Sequence, residues 1–152
     1  LCVLVVTCTA KHDSFEDFMK TLKIAYLYGK TITVSNTHWP ETNAKMLKNR
    51  RIGLSQSGVV QAFNKFGRRA TLEWADNAYE AVKQLDEEFS NWLCIPKSVR
   101  MTSIKPSGTV SLLNGSTPGI HYPEEDYYIL RIRSSKDSEL LPTLEEAGYH
   151  IE

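Results

Sequence analysis

A short polar segment, Lys-Pro-Ser-Gly-Thr-Val-Ser over residues 105–111, carries the groups best suited to holding an anion. It follows a strand-like run, and a strand end followed by a helix start leaves several backbone N–H groups free around one point. Its hydroxyls add neutral donors, and its glycine lets a ligand approach the backbone closely. We therefore predict a phosphate-binding segment, the anion loop, formed by Ser107, Gly108, Thr109, Val110 and Ser111.

The spacing of glycine and lysine excludes one familiar kind of phosphate site. The Gly-x-x-x-x-Gly-Lys-Ser/Thr pattern of an ordinary nucleotide triphosphatase does not occur around the anion loop. A serine-glycine turn is also a common structural element, so the loop alone leaves a structural role open. Residues 109–113 fit either a strand, which propensity favours, or a brief helix with a serine-capped first turn.

Three cysteines are the second set of reactive groups. They form no Cys-x-x-Cys pair and no cluster with histidine, which argues against a structural zinc site and against a disulfide framework. Cys2 and Cys8 lie on the same side of a regular strand but roughly 20 Å apart, too far for a disulfide. Either could be a buried small hydrophobic residue, the usual state of free cysteine. We predict a reducing compartment and no bound metal.

Composition and charge limit the partners of this 152-residue chain. Its 41% hydrophobic and 24% charged residues are ordinary for one globular domain. Eighteen basic residues balance eighteen acidic ones, so no overall field draws the chain to nucleic acid or anionic lipid. The apolar run over 1–6 is too short for a membrane span and lacks the basic flank of a signal peptide. We predict a cytoplasmic location without nucleic-acid or membrane partners, and an excerpt of a longer protein.

Hydrophobic periodicity predicts a helix-rich α/β fold. Residues 2–8 are β-branched and apolar on both faces, which is typical of a strand buried on two sides of a parallel sheet. Further strands are predicted over 101–105 and 127–133. Helices are predicted over 14–31, about 40–49, 59–67, 71–92 and about 138–147.

A turn over 51–58 and an amphipathic helix over 71–92 complete the predicted elements. Residues 51–58 contain two glycines and are predicted to form a turn joining two helices. The long helix over 71–92 has an apolar stripe and a charged side. That charged side includes Asp86 and is predicted to face solvent.

Several motifs in order along the chain together resemble one enzyme family, the adenosylcobalamin-dependent (class II) ribonucleotide reductases. Each motif alone is weak, but the ordered set is specific. The motifs are Leu-Cys at 1–2, Ser-Phe-Glu-Asp-Phe at 14–18, Ala-Tyr-Leu-Tyr at 25–28, Thr-His-Trp-Pro-Glu-Thr-Asn at 37–43, Asn-Arg-Arg-Ile-Gly at 49–53, Ser-Gln-Ser-Gly at 55–58, Thr-Ser-Ile-Lys-Pro-Ser-Gly-Thr-Val-Ser at 102–111, Gly-Ser-Thr-Pro-Gly-Ile-His-Tyr-Pro at 115–123, Ser-Glu-Leu-Leu-Pro at 138–142 and Ala-Gly-Tyr at 147–149.

The resemblance implies a fold and a set of site residues. Residues 1–152 would be the later, incomplete part of the ten-stranded α/β barrel that forms the family's catalytic domain. Cys2 matches the second of two reducing cysteines, and Ser107–Ser111 matches the loop that binds the substrate phosphates. The radical cysteine, its Asn and Glu partners and the first reducing cysteine would lie upstream of this sequence.

The resemblance also implies an activity, a cofactor and partners. The enzyme would convert ribonucleotides to deoxyribonucleotides for DNA synthesis by thiyl-radical chemistry, with adenosylcobalamin as the radical source. Its partners would be a ribonucleotide di- or triphosphate and a thioredoxin-like or dithiol reductant, and the excerpt alone would be inactive. The alternative is a non-catalytic phosphate-ligand binding module derived from the same fold, because Val3 and Val6 stand where the family usually has Asn and Glu.

Overall fold

In the computed structural model, which describes residues 2–123, 125, 127, 129 and 131–152, two parallel strands pack against helices. The strands are β1 (Val3–Cys8) and β2 (Ile52–Ser57). The helices are α1 (Phe15–Ile32), α2 (Pro40–Asn49), α3 (Val59–Phe66), α4 (Arg68–Trp92), α5 (Val110–Leu113) and α6 (Leu140–Glu146), with a 3-10 turn at Thr9–Lys11. The helix-rich α/β prediction is confirmed.

The two strands pair in parallel, from Val3 opposite Ile52 to Cys8 opposite Ser57. The predicted turn over 51–58 is therefore wrong, because most of that segment is β2. Its alternate glycine and serine residues have low strand propensity, which hid the strand in the sequence. Its alternate apolar residues are buried, and this burial overrides the propensity.

Successive side chains of each strand point to opposite sides, so the sheet has two different faces. On the helical face, methyl groups of Val5 and Ile52 lie beside Gly29 of α1. The opposite face, the cysteine face, carries Cys2, Leu4, Val6, Cys8, Gly53, Ser55 and Ser57. Burial of β1 on both sides is not what the structure has, since Leu4 is 52% exposed.

The core lies between the helical face and helices α1 and α4. Its buried members are Phe18, Leu22, Tyr26, Ile52, Leu54, Ala78, Val82, Leu85 and Phe89. The helical members recur at intervals of three and four, so each helix presents one apolar stripe to the sheet. The core therefore fixes both strands from one side only.

Local signals set several helix ends. The Ser14 hydroxyl accepts a hydrogen bond from the Asp17 amide at 3.2 Å, which confirms the predicted start of α1. Pro40 occupies the first turn of α2, where its missing N–H costs nothing. Gly67, at φ 84°, separates α3 from α4, and α4 begins at Arg68 rather than at 71.

The strands predicted over 101–105 and 127–133 have different outcomes. In 101–105, Thr102 forms a parallel bridge with Leu54, so the segment runs beside β2 without forming a full strand. Within 127–133, Tyr128 and Leu130 lie outside the described residues, and the described residues of that segment are not in strand. No helix in the described part of the chain is long and apolar enough to cross a membrane.

The segment after the anion loop forms a helix rather than the strand that propensity favours. The Ser111 amide donates to the Ser107 carbonyl at 3.1 Å, which closes a helical turn and starts α5. The brief-helix alternative is therefore confirmed. The capping detail is wrong, because Thr109 is the N-cap residue and no side chain caps the turn.

Candidate anion-binding site

Four consecutive backbone N–H groups, those of residues 107–110, lie in the first part of the anion loop. Among the described residues, none of these amides has an acceptor within hydrogen-bonding distance. Ser107 has φ 51°, in the left-handed region, and Thr109, two residues later, is right-handed. Left- and right-handed residues in one turn point successive amides toward a common concavity, the arrangement that binds anions in proteins.

The two serine hydroxyls of the anion loop have different hydrogen bonding. The Ser107 hydroxyl is buried and finds no hydrogen-bond partner among the described residues. The Ser111 hydroxyl donates to the Ser107 carbonyl oxygen and so braces the turn. A Cβ added to Gly108 would meet no atom within 4 Å, so the space over this residue is free. The structure thus leaves room and donors for an anion beside Gly108.

A second turn, residues 115–119, attaches the anion loop to the carboxyl ends of the strands. The Gly58 amide donates to the Thr117 carbonyl at 2.9 Å, immediately after β2. The side-chain nitrogen Nδ2 of Asn114 lies 3.8 Å from the sulfur of Cys8, at the end of β1. The sheet therefore holds the anion loop at one end of the cysteine face.

Cys2 lies at the other end of that face. Its thiol is free and exposed, and its sulfur is 3.1 Å from the position that a Cβ on Gly53 would occupy. The Leu4 side chain and the Ser103 hydroxyl crowd the same position at 2.6 Å. A glycine at position 53 therefore makes the room in which the sulfur sits.

Five buried hydroxyls in this part of the chain have no hydrogen-bond partner among the described residues. They belong to Ser57, Ser103, Ser107, Ser116 and Thr117. Buried hydroxyls are usually paired in native proteins, and exceptions concentrate where a ligand or water completes the bonding. Their grouping beside β2 and the anion loop agrees with a site that a polar ligand completes.

A buried ion pair, missed by the sequence reasoning, lies on the opposite side of the sheet. Lys30 Nζ contacts Asp86 Oδ1 at 2.6 Å, and both residues are at most 3% exposed. The Tyr26 hydroxyl also donates to Oδ1, and the Ser98 amide donates to Oδ2. The sequence predicts that Asp86 faces solvent, and this prediction is wrong. Its partner Lys30 is 56 residues away in the chain, so no local sequence pattern indicates the pair.

The ionisation of this cluster follows from burial and pairing. Burial lowers the pKa of Lys30, while its hydrogen bond and charge interaction with Asp86 oppose that change. For Asp86, burial acts to raise the pKa, but hydrogen bonds from Lys30, Tyr26 and Ser98 outweigh burial and lower it. Burial raises the pKa of Tyr26. The cluster is fully bonded and distant from the anion loop, so it stabilises the fold.

Metal-ligating side chains do not form a cluster among the described residues. No group of three His, Cys, Asp or Glu side chains lies together in the part of the chain that the structure describes. The cavity beside Leu54 and Tyr79, about 390 Å³, is lined by apolar side chains of the helices and by residues of β2 and the 102–104 segment, among them Ser55 and Ser103. We assign no residue of this chain to a cobalamin cofactor.

Comparison with curated proteins gives matches along the whole chain, although no protein-family model matches it. The chain is 55% identical over 152 residues to a probable adenosylcobalamin-dependent ribonucleoside-triphosphate reductase of Dictyostelium discoideum. It is 49% identical over 152 residues to an adenosylcobalamin-dependent ribonucleoside-triphosphate reductase of Euglena gracilis. These alignments cover 100% of this chain and 20% and 21% of the two relatives. The chain thus spans about a fifth of the length of the curated relatives it matches.

A more distant relative and a solved structure agree with these matches. The reductase of the same name from Lactobacillus acidophilus is 33% identical over 154 residues, covering 85% of this chain and 21% of the relative. The crystal structure of a B12-dependent (class II) ribonucleotide reductase is similar with a TM-score of 0.78 and 26% identity. That similarity covers 98% of this chain and 24% of the solved one. Sequence and fold therefore correspond to one continuous portion of such enzymes.

Proposed function

Because this chain belongs to the adenosylcobalamin-dependent ribonucleotide reductases, we propose that it holds the substrate phosphates and supplies one reducing thiol in such an enzyme. The complete enzyme converts ribonucleotides to deoxyribonucleotides in the cytoplasm. Residues 1–152 form the later part of its catalytic barrel domain. The similarity of nearly the whole chain to part of a class II reductase supports this assignment.

One observation carries the phosphate-binding proposal: four consecutive backbone amides, at residues 107–110, have no acceptor among the described residues, and a Cβ on Gly108 would meet no atom within 4 Å. Neutral donors bind a phosphate without the permanent charge that would slow its release. The substrate is a ribonucleoside triphosphate, as the names of the relatives suggest. The ribose extends from the anion loop along the cysteine face toward Cys2.

Cys2 is the thiol that this chain contributes to the reduction. Its sulfur and that of a second cysteine outside this chain lose two electrons and two protons and join in a disulfide. The ribose C2′–O bond breaks, the oxygen leaves as water, and C2′ gains hydrogen. A thioredoxin-like protein or a small dithiol then reduces the disulfide. The exposure and freedom of the Cys2 thiol support this role.

The cofactor assignment comes from the family and not from this chain's residues. The relatives are named adenosylcobalamin-dependent, and the cofactor of the complete enzyme is accordingly adenosylcobalamin. The radical forms outside this segment. The described residues are proposed to bind, orient and reduce the substrate.

A Ser107→Ala variant tests the phosphate site in a complete reductase that carries this sequence. We expect the KM of the nucleoside triphosphate to rise about tenfold to a hundredfold, as for the loss of one hydrogen bond to a charged group. The hydroxyl has no partner among the residues that the structure describes, so the melting temperature should not fall. Ser90→Ala, a buried serine on α4, is the matched control and should leave KM unchanged. An unchanged KM for Ser107→Ala would contradict the phosphate site.

A Cys2→Ser variant tests the thiol. We expect turnover with a dithiol reductant to be lost, while a single radical step without reductant survives. Cys94→Ser, another exposed free cysteine, is the control and should retain turnover. Undiminished turnover of Cys2→Ser would remove Cys2 from the mechanism and favour the non-catalytic binding module.

A further inference from the structure

We propose that Gln61 is a positioning residue that holds the anion loop at the carboxyl ends of the strands. The inference rests on the proposed function of the anion loop as the substrate-phosphate site. It adds a residue from a separate element, helix α3, that does not touch the phosphate itself. Substitution of Gln61 should therefore weaken substrate binding through the loop.

The carboxamide of Gln61 bonds the 115–119 turn with both of its polar atoms. Its Nε2 donates to the Gly115 carbonyl oxygen at 3.2 Å. Its Oε1 accepts from the Thr117 amide at 3.1 Å. A glutamine three residues into a helix often reaches back to its own N-terminus. Here it reaches across to another loop, so it joins two parts of the chain.

The 115–119 turn is in turn bonded to the anion loop. The Ser116 amide donates to the Ser111 carbonyl at 2.9 Å, and the Gly115 amide donates to the Leu112 carbonyl at 3.0 Å. Ser111 is bonded to Ser107 through its backbone amide. A shift of the turn is therefore transmitted through α5 to the four open amides of the anion loop.

The backbone of Gln61 is held in place by the connection of helix α3 to the sheet. Helix α3 begins directly after β2, and Gly58 is the joining residue at φ 72°, a conformation that favours glycine. A Cβ on Gly58 would lie 3.1 Å from Gln61 Oε1 and 3.4 Å from the Ser116 Cβ. Glycine at position 58 thus leaves room for the Gln61 contact, and α3 carries the register of β2 to the turn.

The contacts of Gln61 are separable from folding. The Gly58 amide remains bonded to the Thr117 carbonyl without the side chain of Gln61. Gln61 is only partly buried and belongs to no part of the apolar core. Its loss should therefore loosen the turn while the strands and helices remain folded.

The test compares Gln61→Met and Gln61→Asn in a complete reductase that carries this sequence. Met keeps the length and loses both hydrogen bonds, whereas Asn keeps the carboxamide but is too short to reach both backbone groups. We expect KM for the nucleoside triphosphate to rise about tenfold in each variant with kcat within about twofold, as for two neutral hydrogen bonds. Gln84→Met, an exposed glutamine on α4, is the control and should leave both constants unchanged.

Measurement of Ser107→Ala in parallel separates the two proposals. If Ser107→Ala raises KM and the Gln61 variants do not, the Gln61 proposal is overturned and the phosphate site stands. If none of the variants raises KM, both are overturned. A fall in kcat with unchanged KM, or a lower melting temperature alone, would also contradict positioning by Gln61. A selective KM increase in both Gln61 variants and in Ser107→Ala supports it.

Discussion

The helical face and the cysteine face of the same two strands are built in opposite ways. The helical face is covered by apolar side chains, and the charges buried behind it, Lys30 and Asp86, satisfy each other. The cysteine face carries small side chains, a free thiol and neighbouring hydroxyls without partners. Among the described residues, the helical side has one buried polar atom without a partner, Arg50 Nε, whereas five hydroxyls lack one on the cysteine face and its neighbouring loops. The packing that holds the fold and the groups proposed to bind substrate therefore lie on opposite faces of one sheet.

The largest expected effect is on the helical face. Asp86→Ala leaves the Lys30 ammonium buried without its partner, and we expect a loss of about 3–5 kcal/mol in the free energy of unfolding. Urea unfolding of the complete reductase measures it. The double variant Lys30→Met/Asp86→Leu removes both charges and should recover much of the loss. Equal stability of the single variant and the parent would contradict the contrast between the faces.

The same pair gives a pH dependence with a definite sign. The pKa of Asp86 is lowered in the folded state, so its stabilising contribution is present above the unfolded value of about 3.9. The contribution is lost as the pH falls through the lower folded pKa. Asp86→Ala should lack this acid-dependent component of unfolding, whereas Ser107→Ala should retain it.

A smaller effect, confined to binding, is expected from Gly108→Val on the anion loop. The added Cβ meets no atom within 4 Å, and the valine side chain fills the space proposed for phosphate. We expect KM for the nucleoside triphosphate to rise about tenfold or more, consistent with loss of at least one charge-assisted hydrogen bond. The melting temperature should not change. Gly108→Ala, with a smaller side chain, should give a smaller rise, and equal KM values would contradict a ligand at this position.

A still smaller effect, on turnover rather than binding, is expected from Gly53→Ala at the other end of the cysteine face. The new Cβ would press on the Leu4 and Ser103 side chains and displace the Cys2 sulfur. We expect kcat with a dithiol to fall severalfold while KM is preserved, because misplacement of a reacting atom lowers rate. Kinetic constants from steady-state assays measure both. A change in KM alone would place Cys2 outside the reduction step.

The smallest effect is expected from Arg69→Ala, which removes an exposed ion pair with Glu73 on α4. Exposed pairs of this kind contribute little, because solvent screens them. Melting temperature, KM and kcat should all match the parent. A marked change in any of these three quantities would show that the exposed side of α4 is more than a solvated surface.

The sequence predicts the helices well because their signals are local. The Ser14 cap, Pro40 and the apolar stripe of α4 each act within one or two turns, so their pattern survives any tertiary context. The anion loop is predicted for the same reason. Its small residues, its break and its helix start are neighbours in the chain.

The sequence does not predict features that depend on distant partners. Strand β2 owes its formation to pairing with β1 and to burial, which its glycine and serine residues conceal. Asp86 has the same pattern as its solvated neighbours until Lys30 is placed beside it. Gln61 belongs to a helix whose sequence gives no sign of the turn it bonds, more than fifty residues away. These features are known only once the fold brings the segments together.

The pairing of β1 has a practical consequence. Within the described residues β1 pairs with β2 alone, so its outer edge presents a row of unsatisfied N–H and C=O groups. Such an edge is a template for another strand. A preparation of the excised segment should consequently precipitate or assemble into sheet-rich multimers on concentration, and light scattering would register this long before any assay of chemistry.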